Sequence, residues 1–267
     1  LIDRFRKAIT RPHGLVLVTG PTGSGKTTTL YGALAELNKP EKKIITVEDP
    51  VEYRLPRISQ VQLHEKIGLT FASVLRATLR QDPDILLVGE IRDAESAEIA
   101  LRASMTGHMV LSTLHTNDAI TSAMRLLDIG VDGYLVATAL KAIVAQRLVR
   151  RICTSCIQPY SPDANEHQLL AVIGKGRDYS NVVFKKGTGF PRCHNTGYRG
   201  RIGVFEILEL NQTMAEALRV NDINAFTLAA NDVPDFITLS EAALAYAIDG
   251  LTTLDEVMSI SAQVNEI

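Results

Sequence analysis

Residues 20–27, Gly-Pro-Thr-Gly-Ser-Gly-Lys-Thr, follow the pattern G-x-x-x-x-G-K-[ST], a glycine-rich turn whose backbone N–H groups curl around phosphate. Lys26 is then placed to reach the β and γ phosphates of a nucleoside triphosphate, and the Thr27 hydroxyl to meet Mg2+. The helix that such a loop opens adds positive potential at its N-terminus. The chemistry is phosphoryl transfer, and acids near the loop fit it. Asp84-Ile-Leu-Leu-Val-Gly-Glu90 is an apolar run with a carboxylate just beyond it, where an acid meets Mg2+ or the attacking water; Glu90 takes that position. A second acidic cluster, Glu48-Asp49-Pro50-Val51-Glu52, also follows an apolar run. Several carboxylates around one phosphate site repel unless a metal or a catalytic task is present, so Glu52 or Glu48 would orient or deprotonate water. His115 follows a third run and would sense the γ-phosphate, while His108 precedes that run and reads equally as a structural or an interface histidine. Asn38-Lys39-Pro40-Glu41 resembles a guanine-reading N-K-x-D only superficially, because the aspartate is absent.

A separate group is sulfur-bearing. Cys153-x-x-Cys156 with Cys193 makes three parts of a zinc ribbon, but the position three before Cys193 is Phe190, and His194 sits too close beside Cys193 for easy joint ligation. A relic and a site completed by a histidine both fit.

The elements that must carry these residues alternate. Residues 15–19 read as a short buried strand before the glycine loop, and 26–37 as the helix after it. Strand-like runs at 44–47, 85–88 and 109–114 each precede one of the polar groups above. Between them, 70–80 has helical spacing, and Asp93 is an N-cap for a helix ending before Gly107. Such alternation predicts a mostly parallel sheet covered on both faces, with ligands at the carboxyl ends of its strands. Helices are expected from Asp118 through Leu127 and from about Asp132 to Leu148, then an irregular stretch at 153–203, and helices again from Phe205 onward, including 239–248 and a last one opened near Thr252 or Thr253.

With 267 residues at 46% hydrophobic and 22% charged, the chain can bury a core and is too apolar for disorder. No apolar run approaches the ~18 residues of a membrane span. Three cysteines cannot all pair, which favours a reducing compartment. Residues 1–202 carry 27 basic and 19 acidic groups, whereas 203–267 carry 1 and 11. The basic excess is scattered and aromatics are 5% with no Trp, so two mutually attracting solvated faces are a better reading than a nucleic-acid surface.

Four ordered motifs now resemble one family: the ATPases that power type II secretion and type IV pilus assembly. They are the phosphate loop, an aspartate box at 44–62 (IITVEDPVEYRLPRISQVQ), a Walker B segment at 82–93 (DPDILLVGEIRD) and a histidine box at 106–118 (TGHMVLSTLHTND). The likeness covers nearly the whole chain. It implies an α/β fold: a RecA-like P-loop core at 1–150, a small cysteine-containing, zinc-ribbon-like subdomain at 151–203, and a helical C-terminal part at 204–267. It implies ATP held by Gly20, Pro21, Thr22, Gly23, Ser24, Gly25, Lys26, Thr27 and Thr28, with Mg2+ on Thr27 and, through water, Glu90. Catalysis would fall to Lys26, Glu52, Glu90 and His115, with His108 in the same box as His115, and zinc to an incomplete Cys153, Cys156 and Cys193 site. The cysteine pair and the run 193–201 resemble secretion and assembly members rather than retraction members. A cytoplasmic homo-hexamer is implied, peripheral at the inner membrane through a membrane platform and cytoplasmic adaptor proteins, with no specific nucleic acid. The expected function is an ATP-hydrolysing motor for secretion or pilus assembly; a pilus-retraction ATPase and a RecA-like nucleic-acid translocase are the alternatives. The chain opens on Leu1 rather than Met and reads as a fragment; the resemblance implies a preceding domain that helps to close the nucleotide site.

Overall fold

The computed structural model describes residues 1–265. Its first elements are α1 (Ile2–Ile9), β1 (Gly14–Thr19), α2 (Lys26–Leu37), β2 (Ile44–Glu48), β3 (Ser59–Gln62), α3 (Phe71–Leu79), β4 (Ile85–Val88), α4 (Ala94–Met105), β5 (Met109–Leu114), α5 (Ala119–Asp128), α6 (Gly133–Ala139) and β6 (Leu140–Ile152). Then follow β7 (Ile157–Pro159), α7 (Ala164–Ile173), β8 (Lys185–Gly187), β9 (Tyr198–Glu209), α8 (Gln212–Arg219), α9 (Ile223–Asn231), α10 (Leu239–Ile248) and α11 (Leu254–Asn265). Among the described residues, seven strands form one sheet in the order β3-β2-β4-β5-β1-β6-β9, and β7 pairs antiparallel with β8. The α/β class expected from the sequence is the class observed.

Every residue of β1, β2, β4 and β5 is buried, as a parallel sheet sheathed on both faces requires. Caps set the helix starts. Thr70 accepts from Ser73 N to open α3, Asp93 accepts from Ser96 N at 2.8 Å to open α4, and Asp118 accepts from Thr121 N at 2.7 Å to open α5.

Two compact units emerge. The first holds residues 1–22, 26–145 and 207–236; the second holds 23–25, 146–206 and the chain from 237 onward. The stretch 204–267, expected as one helical part, is thus divided between them. Within the first unit, Arg4 closes α1 onto the end of β9 and the segment after α9: its Nε donates to Glu209 Oε1 at 2.8 Å and its Nη1 to Asp235 O at 3.0 Å. Within the second, the Arg150 guanidinium pairs with Glu256 at 2.7 Å and lies 4.0 Å over the Tyr198 ring, whose hydroxyl meets Thr253 at 2.9 Å.

Three expectations about elements are corrected. The helix expected from about Asp132 to Leu148 stops at Ala139, and Leu140 begins a 13-residue strand. That strand pairs parallel with β1, from Leu15↔Leu140 to Thr19↔Ala145, and its apolar run is buried on both sides, an environment that satisfies Ile143 and Val144 as strand residues. The interval 153–203 is not wholly irregular, since it contains α7, a strand pair and the beginning of β9. Residues 205–209 are strand rather than helix, because β9 runs on to Glu209. No helix among the described residues is long and apolar enough to cross a membrane.

Candidate functional site

The parallel register aligns the ends of four strands. Thr19 pairs with Leu114, Val88 with Ser112, and Val47 with Val88. The glycine loop after β1, His115 after β5, Glu90 after β4 and the 48–52 cluster at the end of β2 therefore all leave the sheet at its carboxyl edge, where open α/β sheets collect ligands. Cross-strand bonds hold that edge: Gly20 N donates to Leu114 O at 3.3 Å, Ile91 N to Thr113 O at 3.1 Å, and Thr113 Oγ1 to Gly89 O at 2.6 Å. A Cβ at Gly89 would lie 3.2 Å from Val47 O, so glycine lets the chain before Glu90 pass against β2.

In the loop, Gly20, Gly23 and Gly25 all have positive φ, at 144°, 80° and 90°, backbone geometry that glycine adopts without strain. At Gly25 the space is also taken, because a Cβ there would sit 2.8 Å from Gln146 Nε2. That buried amide donates to Ser24 O at 2.7 Å and fixes the loop tip. Gln146 belongs to none of the motifs. Its signal is a polar residue inside the apolar run of β6. Pro21, Thr22 and Thr28 are exposed, while Thr27 and Lys26 are half-buried at the first turn of α2. Lys26 Nζ donates to Gly20 O at 2.7 Å and Pro21 O at 3.1 Å. Thr19 Oγ1 and Ser24 Oγ are each buried without a hydrogen-bond partner.

Glu90 holds two partners. Its Oε1 lies 3.3 Å from His115 Nε2 and its Oε2 2.8 Å from Arg92, which also comes within 3.9 Å of Asp49. Burial lowers the His115 pKa below its ordinary value, and the positive charge of Lys26 lowers it further; Glu90 pulls it back up, and Arg92 again lowers it. The lowered pKa favours the neutral imidazole, whose one ring N–H can donate to the Glu90 carboxylate. His108 lies at the opposite end of β5, with Nδ1 2.9 Å from Ala103 O, a contact that closes the end of α4.

The two glutamates of the aspartate box differ in exposure. Glu48 is buried and takes hydrogen bonds from Tyr31 Oη, from Thr46 Oγ1 at 2.5 Å and from Gln60 Nε2 at 3.3 Å. Glu52 is exposed. The thiols come together as well: the Cys153, Cys156 and Cys193 Sγ atoms lie within 4.8 Å of one another and all three residues are buried. Among the described residues no fourth ligand joins them. Phe190, three positions before Cys193 and 49% exposed, donates its backbone N–H to Cys193 Sγ at 3.3 Å, and His194 is exposed. These residues do not fit a closed four-ligand zinc site. Burial opposes the Cys193 thiolate, but backbone N–H groups of Gly197 and Phe190 and the neighbouring thiols outweigh it and bring the thiol down to about 7.

The family model described as type II/IV secretion system protein matches residues 2–259. Type II secretion system protein E of Pectobacterium carotovorum subsp. carotovorum is 48% identical over 253 residues, 95% of this chain and 49% of that protein. The type IV pilus assembly ATPase PilB of Myxococcus xanthus is 46% identical over 260 residues, 97% of this chain and 45% of that one. The crystal structure of the pilus retraction motor PilT with bound ADP matches the fold with a TM-score of 0.72 at 30% identity, covering all of this chain and 66% of that chain. The chain spans about half the length of the curated relatives it matches. The fold it shares with the PilT motor is the RecA-like P-loop core expected from the motifs.

Proposed function

Because the chain belongs to the type II/IV secretion system protein family, we propose that it is the ATP-hydrolysing part of a motor for type II secretion or type IV pilus assembly. The observation that carries this reading is the strand register, which lines up the glycine loop, Glu90, His115 and the aspartate box along one sheet edge. In the working protein Lys26 exchanges its bonds to Gly20 O and Pro21 O for the β and γ phosphates. Thr27 and, through water, Glu90 would hold Mg2+, a hard cation suited to their oxygen donors, which neutralises phosphate charge. Exposed Glu52 aligns and deprotonates the attacking water. Neutral His115 reports the γ-phosphate to Glu90 through its 3.3 Å contact.

The motor is read as a hexameric ring, since such ATPases complete their sites with groups from neighbouring subunits. It would work in the cytoplasm against an inner-membrane platform and its cytoplasmic adaptors, with no specific nucleic acid. Phosphate release by the parent and Lys26→Ala tests the chemistry. We expect the variant to lose about 10²–10³-fold in turnover and to bind nucleotide more weakly. An unchanged rate overturns the proposal.

A further inference from the structure

A carboxylate taken out of water costs several kcal/mol unless hydrogen bonds replace its hydration, so a buried acid beside a functional loop asks what it organises. Glu48, 4% exposed, has three donors around it, and each comes from a different place: Tyr31 from α2, Thr46 from its own strand, and Gln60 from edge strand β3. The network does not stop at Glu48. Gln60 Nε2 also donates to Tyr53 O at 3.1 Å, and its Oε1 accepts from Leu55 N at 2.6 Å. Arg54 donates to Gln60 O at 2.9 Å, and Val51 N to Gln62 Oε1 at 3.3 Å. The Tyr53 ring meets the Tyr31 ring edge-on, with centroids 4.7 Å apart. Between these anchored residues lies Glu52, which is exposed.

We propose that Tyr31, Glu48 and Gln60 are positioning residues that hold the aspartate-box loop so that Glu52 faces the attacking water. The inference rests on the reading of Glu52 as the water activator. Tyr31 belongs to the helix that Lys26 and Thr27 begin, so one network fixes the water-activating loop relative to the helix that grips phosphate. Burial and the Glu48 charge both raise the Tyr31 pKa, which keeps the hydroxyl a donor throughout the working range. Gln60 bonds the loop with both ends of its amide, a task that an apolar or a singly functional side chain cannot perform. A buried acid is a poor device for stability alone, because apolar packing usually does as well; it is a good one for specifying geometry.

Tyr31→Phe removes the hydroxyl and keeps the ring against Tyr53, so it separates positioning from packing. We measure single-turnover hydrolysis, affinity for a fluorescent ADP analogue and thermal midpoint in the parent, Tyr31→Phe, Glu52→Gln and the double variant. The expected result is a fall of about ten- to hundredfold in the hydrolytic step, with nucleotide affinity held within about twofold. In the Glu52→Gln background the Tyr31 change should add nothing, since the residue to be positioned is gone. If Tyr31→Phe does not fold, Gln60→Leu on the edge strand decides in the same way. A parent-like rate in Tyr31→Phe overturns the inference, as does an equal loss with and without Glu52. A parent-like rate in Glu52→Gln alone instead removes the assignment of Glu52, and the positioning role with it.

Discussion

Glu90 touches both His115 and Arg92, so its charge is felt in two ways that can be measured apart. Replacing it with glutamine should preserve nucleotide affinity, because the phosphate cradle is built from the 20–27 backbone and Lys26, while hydrolysis slows by about 10²-fold or more. Phosphate release and equilibrium binding on the same variant check this; a collapse of ATP affinity would remove Glu90 from its place beside metal and water. The same substitution has a second signature at His115. Burial and Lys26 depress the His115 pKa, and Glu90 opposes them, so removing the carboxylate takes away an influence that raises it. The imidazole midpoint in Glu90→Gln should therefore lie lower than in the parent, read by NMR titration of the ring protons. An unchanged midpoint would show that the pair is not in contact in solution. The stability sign follows as well: with a folded-state value below the unfolded one, His115 withdraws stability as pH falls below its ordinary titration range near 6.5.

At the level of elements, caps and metal corners can be altered one at a time. Asp93 opens α4 by accepting from Ser96 N and Ser96 Oγ. Asp93→Ala should cost about 1 kcal/mol in a denaturant titration, and a loss near zero would mean that the helix start is held otherwise. In the thiol cluster, Phe190→Cys supplies the missing corner. Elemental analysis should find less than one zinc per chain in the parent and a full equivalent in the variant. One tightly held zinc in the parent would show that a fourth donor exists after all. The same elements show what a reader of the chain could see. Helices 26–37 and 239–248 and strands 85–88 and 109–114 were legible to the residue because glycine, proline and capping residues punctuate them. Strand β6 was not, since Leu140, Ile143, Val144 and Leu148 satisfy a helical template as well as a buried-strand one, and only pairing with β1 decides. Strand β3, Ser-Gln-Val-Gln on a sheet edge, has a single apolar residue and so no apolar run to mark it. The site followed the same division. Loop, acids and His115 stand at strand ends that the pattern marks, whereas the burial of Glu48 depends on Tyr31 and Gln60, 17 residues before it and 12 after it.

For the whole molecule, the proposal of a ring makes a clean expectation. Fusing the chain to a hexamer-forming scaffold should raise phosphate release per chain above that of the monomer, because neighbouring subunits complete ring-ATPase sites. Equal specific rates in the two states would show that each chain is sufficient by itself. Added DNA should leave the rate unchanged; salt-sensitive stimulation would favour the translocase alternative. The division of the chain has one more consequence, for the order in which the protein can be made. The first unit takes its opening helix from residues 2–9 and its closing segments from 207–236, and the Arg4 side chain finds Glu209 and Asp235 only across that interval. A ribosome delivers those partners more than two hundred residues after Arg4 itself. Domains fold as units during synthesis, so β1 and α2 emerge long before the first unit can close. The nascent chain must carry an exposed sheet edge beside β6 until β9 arrives.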